Sequence, residues 1–415
     1  MQYKSYKIRI EANNKQKSLF AKHAGTARHA YNIALSYCNN LFKNGEKIPS
    51  AIDLHKWLVA TVKQENKWYY EVSKYTPQQA LRNLETAFKN FHTLQKKSQY
   101  KLLHYKTVNG VKISTGLQGL PRFKKKGQND SFYLEGAIRF KDNKIKLPKI
   151  GWVKLSESLD IDTIKNCTIS RKANQWYISF KTEYIPVKTV KKHDAVGVDL
   201  GIKALATLSN GEAFKNQKPY KNAKTKLRKQ QKEVSRRYKK GAESQSSNYK
   251  KSVQKLAKTH AMIANIRKDA IHKITSYLAK NFETVVIENL KVKNMSKNKK
   301  LASAILDGGF FEFKRQLEYK KIWYGGKVII ADTFYPSSKL CSNCGNKKDN
   351  LKLSERKYIC DTCNFEIDRD LNASINLEKL AVSSTVTAFG DGSSAQFCVQ
   401  PVDELGIKHQ MLTFV

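Results

Sequence analysis

The sequence predicts a multidomain α/β protein. Its N-terminal half reads as a helical module and a small β-barrel, and its C-terminal half as an α/β domain interrupted by a four-cysteine insertion. Three observations carry this reading. The apolar period changes along the chain, from a helical repeat to short strand-like runs and then to strands alternating with helices. Four of the seven cysteines stand in two close pairs. A length of 415 residues has room for two or three domains and at least one well-buried core.

The opening "YKSYKIRIEANN" alternates as a strand does. In "KQKSLFAKHAGTARHAYNIALSYCNNLF", Leu19, Phe20, His23, Ala27, Ala30, Tyr31, Ala34 and Leu35 recur every three or four residues. "TPQQALRNLETAFKNFHTL" repeats the pattern with Ala80, Leu84, Ala87, Phe88 and Phe91, and Thr76-Pro77 suits a helix start. Residues 15–106 are therefore expected to be helical. From 107 to 186, "VKISTGL", "SFYLEGAIRF", "NKIKLPKIGWVKL", "CTISRK" and "QWYISFKTEY" are short, β-branched or aromatic, and separated by turn residues. With residues 1–14 they make the expected β-barrel module.

"KTVKKH", at 188–193, reads as a linker. The α/β domain is expected over 194–340 and 364–381. It opens with "DAVGVDLGIKALATLSNGEAFK", a strand meander turning at Asn210-Gly211. A long helical pair over 220–280, broken near "KKGAESQSSN", comes next. It is followed by the buried strand "FETVVIENLKV" ending on Glu288, the amphipathic "GGFFEFKRQLEYKKIWYG" and the strand "GKVIIADTFYPSS". The cysteine insertion occupies 341–363. Residues 382–415, small and polar without periodicity, are expected to form a flexible tail.

Charge narrows the partners. The chain carries 77 Lys+Arg against 35 Asp+Glu, a net of +42, and a folded domain tolerates such self-repulsion best beside a polyanion. Nucleic acid is the obvious one, and 20 Tyr and 18 Phe suit stacking on bases. The loop from Pro121 to Asp130 presents Arg122, Lys124, Lys125 and Lys126. From Tyr220 to His260 there are 14 basic and 2 acidic side chains, among them Arg228, Arg236 and Arg237, which marks a backbone-tracking stripe. No apolar run reaches transmembrane length and the start lacks the apolar core of a secretion signal, so no membrane partner is expected. Cys38, Cys167 and Cys398 are scattered, which argues for a reducing compartment.

Cys341-x2-Cys344 and Cys360-x2-Cys363 stand fifteen residues apart. Each pair can present two thiolates from one turn, with Gly345 suiting that turn, so tetrahedral zinc is expected in a structural role because no ligand position stays open. The acids point elsewhere. Asp199 lies inside the apolar run "AVGVDLGIKAL" and Glu288 ends "TVVIE", and a buried carboxylate is costly unless something compensates it. Asp370 opens the helix "LNASINLEKL"; it or Asp368 could equally cap that helix. Together the three acids suit an oxygen-ligand cluster for paired Mg2+ acting on a phosphodiester. There is no Walker loop, no G-x-S-x-G and no histidine-rich zinc site.

"GVDLGIKALATLSNG", "VVIENLKV", "LEYKKIWYGGKVIIADTFYPSSKLCSNCG" and "CDTCNFEIDRDLNASINL" resemble, in order and spacing, the TnpB proteins of bacterial insertion sequences, relatives of compact type V CRISPR effectors. The likeness is firm over about 190–380 and looser upstream, in "TPQQALRNLETAFKNF" and "LPRFKKKG". It implies an RNase H-like (RuvC) nuclease domain with a zinc-ribbon insertion, a helical recognition module at 15–106 and a β-barrel wedge module at 1–14 and 107–186. It implies Asp199 and Glu288 as the first two catalytic acids and Asp370 as the last, with Asp368 the runner-up. It further implies a transposon-encoded guide RNA, a double-stranded DNA target read beside a short flanking motif, and a cytoplasmic, nucleoid-associated setting in a bacterium or archaeon. A cleavage-silent RNA-guided regulator and a strand-transferring transposase stand as alternatives.

Overall fold

The computed structural model describes residues 2–96, 103–108, 111–161, 163–186, 189–352 and 355–386. The chain divides into two compact units, one through Tyr184 and one from Ile185.

The first unit runs β1 (Gln2–Glu11), α1 (Asn14–Lys43), α2 (Ala51–Ala60), α3 (Val62–Glu65), a 3-10 turn (Lys67–Glu71) and α4 (Tyr75–Lys96). It continues with β2 (Leu103–Val108), β3 (Val111–Leu117), β4 (Ser131–Lys141), β5 (Lys144–Leu147), β6 (Gly151–Leu155), β7 (Thr163–Lys172) and β8 (Gln175–Tyr184). Six strands close a barrel in the order β1-β6-β5-β4-β7-β8, which leaves no open edge. Alternation fills it: Ile8, Ile10, Ile145, Leu147, Val153, Leu155 and Ile178 are buried, while the lysines between them face out. The ring of Phe20 seats α1 against Phe132 and Trp176.

Two expectations change here. Strand begins at Leu103, inside the span expected to be helical. The run "VKISTGL" does not enter the barrel but pairs with β2 as a separate two-stranded sheet. Alternation detects a strand without naming its partner, and here the neighbour next in the chain won.

The second unit runs β9 (His193–Asp199), β10 (Ala204–Leu208), β11 (Ala213–Lys215), α5 (Pro219–Arg237), α6 (Ser247–Asn281) and β12 (Phe282–Ile287). It ends with α7 (Val292–Met295), α8 (Ala302–Gly308), α9 (Phe310–Tyr324), β13 (Lys327–Ile330), β14 (Lys357–Ile359), β15 (Glu366–Asp368) and α10 (Arg369–Val386). The main sheet has the order β11-β10-β9-β12-β13. Its first three strands are antiparallel, whereas β12 lies parallel to both β9 and β13. The central strands are apolar because both faces are covered. Ile271, Ile274, Leu278, Phe313 and Leu317 pack on one side, and Leu377 and Ala381 of α10 on the other.

The expected linker is seated rather than free: the Thr189 and Lys192 amides donate to the carbonyls of Tyr324 and Asn281, and His193 already belongs to β9. The cysteine insertion also extends past 363, because β15 pairs with β14 up to Asp368. The last helix runs to Val386, five residues beyond the expected 381, and the rest of the expected tail, 387–415, lies outside the described residues.

Candidate active site and metal centre

Register brings the first two acids together. β9 and β12 are parallel neighbours with Val198 opposite Ile287, so one further step sets Glu288 level with Asp199. Neighbouring strands lie about 4.8 Å apart, and residues at matching register project from the same face.

The third acid arrives on α10. A Cβ on Gly197 would lie 1.9 Å from the Ser374 carbonyl oxygen and 2.5 Å from the Glu378 amide nitrogen, so only glycine lets the helix lie this close on β9. From that crossing, one helical turn back reaches Asp370 and two strand residues on reach Asp199, spans of about 6 Å each.

The electrostatics reflect this convergence. Burial pushes the Asp199 carboxyl well above the usual range; the nearby Glu288 and Asp370 charges push it further, Arg369 partly offsets them, and Asp368 adds to the rise. Around Asp370 the cations are loose, with Arg356 at 3.7 Å and Arg369 at 3.9 Å. One oxygen of the Asp368 carboxylate accepts the amides of Asp370 (2.9 Å) and Leu371 (3.2 Å), which caps the start of α10.

Sequence reasoning passed over the residues that hold Glu288. The buried Ser337 hydroxyl donates to Glu288. The Ser337 carbonyl accepts from Asn376 at 2.9 Å, and the Asn372 and Asn376 amides both donate to the Leu340 carbonyl at 2.7 Å. The Asn372 side chain also accepts the Ser342 amide at 2.9 Å. α10 thus grips the turn before Cys341 while presenting Asp370. Two asparagines one turn apart among small residues in "LNASIN" were the available signal.

The four thiols of Cys341, Cys344, Cys360 and Cys363 lie within 4.8 Å of one another, a tighter gathering than any other set of three or more metal-ligating side chains among the described residues. Sulfur pairs stand 3.5 and 3.7 Å apart, close to the roughly 3.8 Å edge of a tetrahedron with 2.3 Å zinc–sulfur bonds. The two knuckles are built alike: the Gly345 amide donates to the Cys341 carbonyl and the Asn364 amide to the Cys360 carbonyl, each residue at positive φ. The soft donor set fits zinc.

The basic candidates lie in both units. Arg122, Lys125 and Lys126 are exposed on their loop. Lys124 is held at its backbone by Asn32, and its ammonium lies 4.0 Å from the Tyr31 ring centroid, where burial lowers its pKa. On α5, Arg228 and Arg236 are exposed, whereas Arg237 pairs with Glu233 at 2.9 Å and donates to the Asn248 carbonyl. The start of α5 is anchored by buried Asp307, which accepts the amides of Tyr220 and Lys221 and pairs with Arg267 at 2.7 Å.

A family described as "Probable transposase" matches residues 177–299, one described as "Cas12f1-like, TNB domain" matches 310–377, and one described as "Helix-turn-helix domain" matches 1–47. In that last span the structure has β1 and one 30-residue helix. The chain is 32% identical over 407 residues to InsQ of Escherichia coli (strain K12), named as a candidate RNA-guided DNA endonuclease, covering 93% of this chain and 94% of that one. It is 34% identical to a similarly named protein of Streptomyces pristinaespiralis, covering 95% and 92%. Over 144 residues, 33% of this chain and 27% of the other, it is 34% identical to the TnpB-like protein L79 of Acanthamoeba polyphaga mimivirus. Its fold is similar to that of Cas12f1 in a cryo-EM complex with sgRNA and target DNA, with a TM-score of 0.50 at 13% identity over 91% of this chain and 98% of the other. Identity of about a third over nearly the whole length of two such relatives shows that the chain belongs to the TnpB family.

Proposed function

We propose that this chain is a transposon-associated, RNA-guided DNA endonuclease whose second unit is an RNase H-like (RuvC) nuclease domain. The observation that carries the reading is the meeting of Asp199, Glu288 and Asp370 from two adjacent parallel strand ends and one helix start. A carboxylate as crowded as Asp199 is stable in its charged form only beside a cation, and oxygen donors suit Mg2+. Bound there as a pair, Mg2+ ions would polarise the scissile phosphate and activate water. Asp199 and Glu288 would hold the ions from the sheet and Asp370 from the helix, with Ser337 fixing the orientation of Glu288. The four cysteines would hold one structural zinc, keeping the turn gripped by α10 in place.

Guide pairing would supply sequence specificity, with the barrel and helical unit holding the RNA and reading a short flanking motif. The relatives named for RNA-guided cleavage, and the net charge of +42, support nucleic acid as the partner. The setting would be the cytoplasm of a bacterium or archaeon, on the nucleoid; among the described residues no helix is long and apolar enough to cross a membrane.

The test is to purify the protein with its RNA, sequence that RNA and offer a matched duplex. Cutting in Mg2+, none in EDTA, and retained binding without cutting by Asp199→Ala are expected. Binding without cutting by the wild type would indicate a regulator, and strand-joined products a transposase.

A further inference from the structure

Two phenylalanines of the second unit pack against little: Phe311 is 70% exposed and Phe334 is 85% exposed. Single exposed apolar side chains are ordinary. These two matter for where they stand. Phe311, in the first turn of α9, lines a cavity of about 250 Å3 together with Leu200, Glu288, Asn289, Lys314 and Glu318. Leu200 follows Asp199 in the chain and Glu288 is itself one of the acids, so this cavity opens directly beside the cluster.

Phe334 belongs to the turn after β13. That turn is fixed twice: the Asp332 carboxylate accepts the Phe334 amide at 2.8 Å, and the Asn289 side chain donates to the Thr333 hydroxyl at 3.1 Å. The second bond pins the turn to the residue next to Glu288. Each ring has a cation at hand. The Lys291 ammonium lies 5.7 Å from the Phe334 ring centroid, and Lys314 stands three residues after Phe311 on the same helix face. Among the described residues neither lysine has a carboxylate partner.

We propose that Phe311 and Phe334 are stacking platforms for unpaired bases of the DNA strand being cut, one near each side of the scissile phosphate, with Lys314 and Lys291 taking the adjoining phosphates. This rests on the nuclease reading above and adds what selects the strand. A ring and a cation side by side match a nucleotide, and every base has a π-face, so the contact tolerates any sequence. It does not tolerate a duplex, whose bases are already stacked and paired. The platforms therefore favour single-stranded DNA at the acid cluster and fix the phosphate between them.

The test uses the full protein with its co-purified RNA and single-stranded oligodeoxynucleotides carrying 5-iododeoxyuridine, irradiated in Ca2+ so that binding proceeds without turnover. Cross-links mapped by mass spectrometry are expected at Phe311 or Phe334, and not with the same oligonucleotide in duplex form. Phe311→Ala/Phe334→Ala should slow single-turnover cutting of a matched target by about ten-fold or more with target binding retained. Phe311→Tyr/Phe334→Tyr should restore the rate. Cross-links confined to other residues, or a double alanine variant cutting at the wild-type rate while Asp199→Ala is inert, would overturn the proposal. Cutting by Asp199→Ala would instead overturn the nuclease site on which it rests.

Discussion

Gly197 and Ser374 are in direct backbone contact: there is no room for even a methyl group between β9 and α10. That contact sets how far Asp370 stands from Asp199. Gly197→Ala must push the helix outward, with an expected cost of about 1–3 kcal/mol in stability. Cutting should fall by about a hundred-fold, since a displacement of about 1 Å at such a site has that effect. Thermal melting and single-turnover cleavage measure the two losses separately.

Asp368 and Asp370 differ by two positions and should differ in kind. Asp368→Ala removes the cap of α10 and should cost about 1 kcal/mol, while Asp368→Asn keeps a good cap and should be close to neutral. Asp370→Asn should leave melting nearly unchanged and abolish cutting. Equal loss of cutting in Asp368→Asn would reassign the third acid.

The thiol cluster should bind one zinc per chain, measurable by elemental analysis. Cys341→Ser should lose the metal and loosen residues 340–368, read as faster amide exchange there. The barrel of the first unit should keep its exchange protection.

Asp199 makes stability depend on pH in a defined direction. Its folded pKa is raised, so the folded state holds the proton to higher pH than the unfolded chain does, and metal-free stability falls as pH rises above about 4. In EDTA, Asp199→Asn should therefore melt above the wild type at neutral pH, with the difference shrinking toward pH 4. Added Mg2+ should stabilise the wild type and not the variant.

The arginines of α5 should separate by their partners. Arg228→Ala and Arg236→Ala should each reduce the salt slope of nucleic-acid binding by about one. Arg237→Ala, which frees Glu233 and the turn into α6, should lower stability with less effect on that slope.

Asp199 and Glu288 stand out in the sequence alone because charge inside an apolar strand demands compensation, a cost visible from immediate neighbours. The cysteine spacing is equally local, and so is the break between α5 and α6 at a run of glycine and serine. Ser337 is silent in the sequence because a serine in a turn has many uses, and its bond to Glu288 spans 49 residues. The separate β2–β3 hairpin escapes for a related reason: alternation specifies a face, while pairing depends on which edges are available.

Residue order alone determined the periods, the chelating spacing, the cationic surplus and the positions at which carboxylates would be costly. Only the folded chain decided that Ile287 sits opposite Val198 and that α10 rests on a glycine. The first set follows from neighbours a few bonds apart. The second depends on strand register and helix contact between segments more than eighty residues distant, and those are settled by packing the whole core at once.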